Sequence, residues 1–324
     1  MTDLAQQVIA GDRRALARAI TLAESARPDH QDEAEALLAE ILPRTGGSAR
    51  IGITGAPGVG KSTFIEALGL HLVGAGRRVA VLAVDPTSER SGGSILGDKT
   101  RMPLLAREGH AFIRPSPAGG ALGGIARRSR EAVLLCEAAG FETVIVETVG
   151  VGQSETAVAG LVDTFLLLIA PGGGDELQGI KRGIVELADI VIVNKNDGSF
   201  AEDAGRIASE YAGALHLLRP ASAHWQPAVL LCSALEGAGL TEAWDTALRH
   251  RATLEEAGEL TARRKHQALG SLWDEVNQSL LDRARGNANV QAMLPKLERE
   301  VASGALLPAA AARRLLAGLK DSGQ

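Results

Sequence analysis

The eight residues Gly55-Ala56-Pro57-Gly58-Val59-Gly60-Lys61-Ser62 restrict this chain more than any other stretch of it. They fit the pattern G-x-x-x-x-G-K-[ST], which carries weight when a strand leads into it and a helix leads out. Both conditions are met: Ile51-Gly52-Ile53-Thr54 reads as a buried strand, and Thr63 to Val73 has helical texture. In that setting the backbone N–H groups of the loop wrap phosphate, and the helix N-terminus adds partial positive charge. Lys61 is expected to neutralise the β- and γ-phosphates, and the Ser62 hydroxyl to ligate Mg²⁺. The expected phosphate site is Gly55, Ala56, Pro57, Gly58, Val59, Gly60, Lys61, Ser62 and Thr63.

The rest of the chain is organised around that loop. Short apolar runs alternate with helical ones: Arg50 to Thr54, Val79 to Asp85, Thr143 to Glu147, Thr164 to Ala170, Ile190 to Asn194 and Ala228 to Ser233. Such runs, joined by helical crossovers, predict an α/β fold with a mostly parallel sheet buried on both faces. Before it, residues 4 to 43 read as helix, with Asp12 as the N-cap of a second run, a break at Pro28-Asp29-His30, and a helical pattern from Glu33 to Leu42. From Thr253 the chain reads as helical again. Leu269, Trp273, Val276 and Leu280 share one face, Gly286-Asn287-Ala288-Asn289 interrupts, and Pro308 starts a last helix to about Lys320. The expected division is an N-terminal helical extension over 1–48, a P-loop domain over 49–252 and a C-terminal helical arm over 253–324.

Ligands of open α/β sheets sit at the carboxyl ends of the strands, and the remaining polar motifs fall there. Asn194-Lys195-Asn196-Asp197 fits N-K-x-D at a strand end. A carboxylate in this place accepts from N1–H and the exocyclic amino group of guanine. Adenine lacks that donor pair, so the site is expected to select GTP and GDP. Ser233-Ala234-Leu235, at the end of the last strand, fits a backbone loop that buttresses the guanine oxygen. Glu147 closes another strand and is expected to bind Mg²⁺ directly or through water, while the Gly150 N–H reaches the γ-phosphate. Asp85 and Asp98 are further metal candidates, the latter inside the glycine-rich stretch 91–102. Many GTPases place a water-orienting glutamine after the glycine, but this chain has Val151 there. Slow hydrolysis without a partner is therefore expected. The segment Gly172 to Arg182 combines glycines with charge, and Lys181 or Arg182 is a candidate for contact with phosphate or a partner protein.

Composition removes several alternatives. Lys plus Arg number 34 against 39 Asp plus Glu, a net charge of −5 that disfavours a dedicated nucleic-acid binder. Two cysteines permit no disulfide framework and no four-cysteine zinc site; Cys136 and Cys232 lie in apolar runs and read as core. The seven histidines are scattered, which disfavours a nickel-insertion GTPase, and three methionines cannot line a signal-recognition groove. A small-molecule kinase is disfavoured by the guanine reader. The start lacks a basic-then-apolar leader and no run approaches the ~20 apolar residues of a membrane span. A cytoplasmic protein without nucleic-acid or membrane partners is the expectation.

Taken together, the phosphate loop, Val84 to Ser88, Ser91 to Met102, Glu147 to Glu155 and Gly174 to Lys181 closely resemble the MeaB family, GTPase chaperones of methylmalonyl-CoA mutase related to the human methylmalonic aciduria type A protein. Older usage called bacterial members ArgK-type kinases. The resemblance implies that 91–102 is switch I, 147–155 switch II and 175–181 part of a third switch that contacts the mutase, giving Lys61, Glu147, Gly150 and Lys181 roles in hydrolysis and its control. Asn196 stands where the family usually has alanine. The C-terminal helices resemble a dimerisation arm, so a homodimer is implied. Adenosylcobalamin would sit on the partner, since no D-x-H-x-x-G occurs here. The implied partner is methylmalonyl-CoA mutase, with isobutyryl-CoA mutase as the alternative.

Overall fold

The computed structural model describes residues 1–25, 27–84, 101–115, 122–148, 154–172, 182–218 and 220–320. Seven strands form one sheet: β1 (Ala49–Gly55), β2 (Val79–Val84), β3 (Ala111–Arg114), β4 (Thr143–Thr148), β5 (Thr164–Ile169), β6 (Ile190–Val193) and β7 (Ala228–Leu231). Their order is β3-β2-β4-β1-β5-β6-β7, and every neighbouring pair is parallel. β1 lies between β4 and β5, with Ile53 opposite Glu147 on one side and Leu166 on the other. The chain therefore leaves β1 at a point where connections diverge to either side, where ligands of such sheets bind.

Apolar side chains alternate between the two faces of the strands. On one face, Ile51, Ile53, Val81 and Ile145 pack with Phe64, Leu68 and Leu72 of α4 (Lys61–Gly74). Trp244 and Ala247 of the helix Leu240–Glu256 close that layer. On the other face, Val144, Val146 and Phe165 meet the N-terminal helices α1 (Asp3–Ile9), α2 (Arg13–Ala23) and α3 (Pro28–Ile41), together with α5 (Leu122–Ala138) and α6 (Ser154–Ala159). Two further helices follow, α7 (Arg182–Leu187) and α8 (Ala201–Leu217); Ile207, Tyr211 and Leu215 of α8 cover Leu167, Val191 and Val193.

The N-cap at Asp12 is as expected: its carboxylate accepts from the N–H groups of Arg14 at 2.7 Å and Ala15 at 2.9 Å. Pro28 does not break the chain there; it begins α3, and the break precedes it. A proline at the first helical position loses no intrahelical bond, so it starts a helix as readily as it stops one. β3 was not expected, being four residues at the sheet edge. Helix also resumes earlier than Thr253, since α9 is the helix Leu240–Glu256.

The chain divides into two compact units, Met1–Ala268 and Leu269–Gln324. The boundary falls within α10 (Glu259–Gly286). In the second unit Asn287 caps α11 (Ala288–Ala302) by accepting from Asn289 and Val290 N–H. α12 (Pro308–Lys320) packs on α11, burying Val290, Leu297 and Ala311. Leu269, Trp273 and Leu280, expected on one face of α10, are all more than half exposed. Among the described residues no helix is long and apolar enough to cross a membrane.

Candidate guanine-nucleotide site

The loop after β1 packs against the adjoining strand and against the N-K-x-D segment. A Cβ at Gly55 would fall 2.3 Å from the carbonyl oxygen of Leu168 in β5, so no larger residue fits. Gly60 has φ +90°, and a Cβ there would lie 2.7 Å from Nδ2 of Asn194. Lys61 opens α4. Its ammonium donates to the carbonyls of Gly55 at 2.7 Å and Ala56 at 3.1 Å. Burial lowers its pKa; the carboxylate of Glu147 opposes that shift, Arg101 adds to it, and Glu155 opposes it. Ser62 Oγ lies 3.4 Å from Glu147 Oε1. Hydroxyl and carboxylate oxygens converging at a helix N-terminus suit a hard cation such as Mg²⁺, so these residues fit the ion. Pro57, Gly58 and Thr63 are exposed, whereas Val59 is buried.

The N-K-x-D segment and the Ser233-Ala234-Leu235 segment are joined to the phosphate loop by one side chain. Asn194, 2% exposed, donates from Nδ2 to the Val59 carbonyl at 2.9 Å and accepts at Oδ1 from the Ala234 N–H at 3.0 Å. It thus ties the phosphate loop, the end of β6 and the Ser233-Ala234-Leu235 segment together. Among the described residues, Lys195 is the one non-glycine with positive φ, at 61°. That turn carries the chain to Asp197, where Ser233 Oγ donates to Oδ2 and Oδ1 takes no hydrogen bond among the described residues. Ser233 is fully buried and also accepts from Glu236 N–H at 3.1 Å, while Leu235 is 81% exposed. A carboxylate with one oxygen held and the other open is prepared to accept from a base edge.

The structure therefore brings together Gly55 to Ser62, Glu147, Asn194, Asp197, Ser233 and Ala234. Asp85, Asp98, Gly150, Val151 and Lys181 lie outside the described residues. Three features received no role in the motif reading. Thr54 and Thr148 share a buried hydroxyl–hydroxyl hydrogen bond of 2.7 Å between β1 and β4. Glu66 on α4 accepts from Leu104 N–H at 2.7 Å and Leu105 N–H at 3.3 Å, holding the segment before β3 to the phosphate-loop helix. Glu155 is 8% exposed. Thr54, Thr148 and Glu155 belonged to quoted stretches, but the contacts of the threonines and of Glu66 depend on how the sheet and α4 are assembled. Cys136 and Cys232 are buried, and burial raises the Cys232 thiol to about 12, which suits core residues. No three His, Cys, Asp or Glu side chains gather into a metal cluster among the described residues.

Known proteins agree with this geometry. The family model described as Methylmalonyl Co-A mutase-associated GTPase MeaB matches residues 16–289. A probable GTPase of Mycobacterium tuberculosis is 56% identical over 313 residues, covering 97% of this chain and 93% of that one. The mitochondrial methylmalonic aciduria type A homolog of Mus musculus is 47% identical over 324 residues, covering 97% and 78%. GTPase ArgK of Escherichia coli is 47% identical over 305 residues, covering 94% and 92%. A solved structure described as LAO/AO transport system kinase superposes with a TM-score of 0.77 at 39% identity, covering 98% of this chain and 97% of that one. A parallel sheet with a phosphate loop after its central strand, an N-K-x-D segment tied to that loop, and GTPase relatives covered over most of their length make the chain a P-loop GTPase, and it belongs to the MeaB family of methylmalonyl-CoA mutase-associated GTPases.

Proposed function

We propose that this GTPase acts as a chaperone of a cobalamin-dependent acyl-CoA mutase, methylmalonyl-CoA mutase first, gating adenosylcobalamin loading and protecting or reactivating the loaded enzyme. The observation that carries the nucleotide half of this reading is the Asn194 bridge, because it makes the phosphate loop and the base-reading loops one unit. The family's description supports the mutase half.

In this reading Asp197, with Ser233 holding one oxygen, accepts from guanine through the other. Ser233, Ala234 and Leu235 supply the backbone beside the guanine oxygen. Backbone N–H groups of Gly55 to Lys61 and the N-terminus of α4 hold the phosphates. Lys61 exchanges the Gly55 and Ala56 carbonyls for β- and γ-phosphate oxygens. Mg²⁺, held by Ser62 and Glu147 with Asp85 and Asp98 as further candidates, neutralises charge on the phosphates. Val151 cannot orient water, so hydrolysis is slow until the mutase supplies or moves the missing group, and Gly150 and Lys181 belong to the segments that respond. Residues 1–48 are the helical extension, 49–252 the GTPase domain and 253–324 the arm through which two chains form a homodimer in the cytoplasm. Cobalamin stays on the mutase.

The test is steady-state phosphate release by the full chain alone and with methylmalonyl-CoA or isobutyryl-CoA mutase. Stimulation by one mutase is expected. Lys181→Ala should leave GDP affinity and intrinsic hydrolysis nearly unchanged and remove most of the stimulation, a coupling change of about 5–150-fold. Fast release that neither mutase alters would count against the proposal, as would equal binding of ATP and GTP in calorimetry.

A further inference from the structure

Glu155 is a buried carboxylate that the nucleotide site, as read from its motifs, does not use. It stands in the first turn of α6 and is 8% exposed. Among the described residues it takes neither a hydrogen bond nor an ion pair. An uncompensated buried charge is costly, and such groups concentrate at functional sites.

Its position follows from the topology. α6 returns from the carboxyl end of β4 to the amino end of β5. Val158, one turn further along, lies on Gly52 in mid-β1: a Cβ on that glycine would fall 3.1 Å from Val158 Cγ1. Glu155 shares the Val158 face at i, i+3 and stands about 4.5 Å nearer the carboxyl ends, where β1 turns into the phosphate loop. The ammonium of Lys61 lies in its field. Glu147 reaches Lys61 from the other face of the sheet, since its register partner Ile53 belongs to the α4 layer while Gly52 meets the α6 layer. Glu155 is thus set apart from the Ser62–Glu147 pair, and it acts on the phosphate site through its electrostatic interaction with Lys61.

We infer that Glu155 sets the preference of this site between tri- and diphosphate. A triphosphate brings about one more negative charge than a diphosphate. Lys61 cannot fully balance both that charge and Glu155. The carboxylate therefore weakens triphosphate binding more than diphosphate binding, and the triphosphate state becomes the one most sensitive to any movement of α6. The inference rests on the guanine-nucleotide reading of the site.

The experiment is calorimetric titration of the full chain with Mg²⁺ and either GDP or a non-hydrolysable GTP analogue. Glu155→Gln should tighten the analogue relative to GDP by on the order of tenfold, with GDP itself moving less than about threefold. Glu155→Met should shift the ratio equally, and it carries the test if the glutamine variant fails to fold, because it leaves no buried polar group. Glu155→Asp, which keeps the charge, should stay within about threefold of the original ratio. An unchanged ratio in the uncharged variants, weaker analogue binding relative to GDP, or an aspartate variant that shifts as far as glutamine would each overturn the inference. Absence of guanine-nucleotide binding by the unmutated chain would instead remove the reading on which it stands.

Discussion

The sheet carries ionisable groups at both ends of its strands, and the two sets are connected differently. At the amino ends the charges close on one another. Arg50 donates to Glu137 at 2.8 and 2.9 Å, and its N–H reaches Asp163 at 3.1 Å. Arg264 of α10 grips Asp163 with two bonds of 2.8 and 2.7 Å and reaches the carbonyls of Gly46 and Ser48. Arg263 bonds both oxygens of Asp189, which also accepts from Phe165 N–H and faces His250. At the carboxyl ends Lys61 rests on carbonyls, Asp197 has an open oxygen and Glu155 has no partner among the described residues. A closed network fixes where three strands begin. The open groups stand at the opposite, carboxyl edge of the sheet, Lys61 after β1, Asp197 after β6 and Glu155 after β4, where ligands of such sheets bind.

The largest expected effect tests whether that contrast is one of stability against binding. Asp163→Ala takes from Arg264 its carboxylate partner and from the Arg50 N–H its acceptor, and should cost about 3–5 kcal/mol in denaturant unfolding. Lys61→Ala should cost less than about 1.5 kcal/mol yet abolish measurable triphosphate binding. Equal losses of stability would erase the contrast.

Next in size is Asp197. Asp197→Ala should weaken GDP by about 2–4 kcal/mol, because a charge-assisted pair is lost in a buried setting. Asp197→Asn should shift preference toward xanthine nucleotides, whose exocyclic oxygen accepts from the amide. Competition binding with GDP and XDP measures both. A variant that loses stability in step with affinity would place Asp197 with the closed network instead.

Acid sharpens the comparison from the other side. Burial pushes the Asp189 carboxyl up, but His250 and Arg263 outweigh it and hold the group below the ordinary aspartate range. A carboxyl with a folded-state pKa below its unfolded value stabilises the fold above the unfolded value, about 3.9. That contribution is lost as pH falls from there through the folded-state value. Asp189→Asn should therefore flatten stability against pH below about 4, read as denaturation midpoints. An unchanged acid limb would show that Asp189 does not carry it.

The same contrast explains what could be seen in the sequence. The phosphate loop was legible because strand, loop and helix are contiguous, so one window holds Gly55, Lys61 and Ser62 with their context. The N-K-x-D segment was legible for the same reason, and Asp12 and Pro308 announced helices locally. The amino-end network was not: Gly46, Arg50, Glu137, Asp163, Asp189 and Arg264 meet only after the sheet has set its register, and no local pattern separates Asp163 from a surface aspartate. Asn194 was half legible. Its motif pointed to guanine, but its role as a tie between Val59 and Ala234 needed the fold. Pro28 misled because proline marks both the start and the interruption of a helix.

The smallest effect concerns a polar pair at the carboxyl end that is closed. Thr54 and Thr148 are buried and bond to each other at 2.7 Å, so they resemble the amino-end network in being satisfied but carry no charge. Thr54→Val should cost about 1–2 kcal/mol, since it leaves the Thr148 hydroxyl buried without its partner, and Thr148→Val should behave alike. The double variant should cost less than the sum, because two apolar groups of matching shape replace a satisfied pair; the shortfall is the coupling energy, about 1 kcal/mol. Nucleotide affinity should stay within about threefold in all three variants, a change below 1 kcal/mol. If location at the carboxyl end were enough to make a group part of the binding machinery, these valines would weaken GDP as Asp197→Ala does. Binding that survives them assigns function to the open, charged groups and leaves the hydroxyls as packing between β1 and β4.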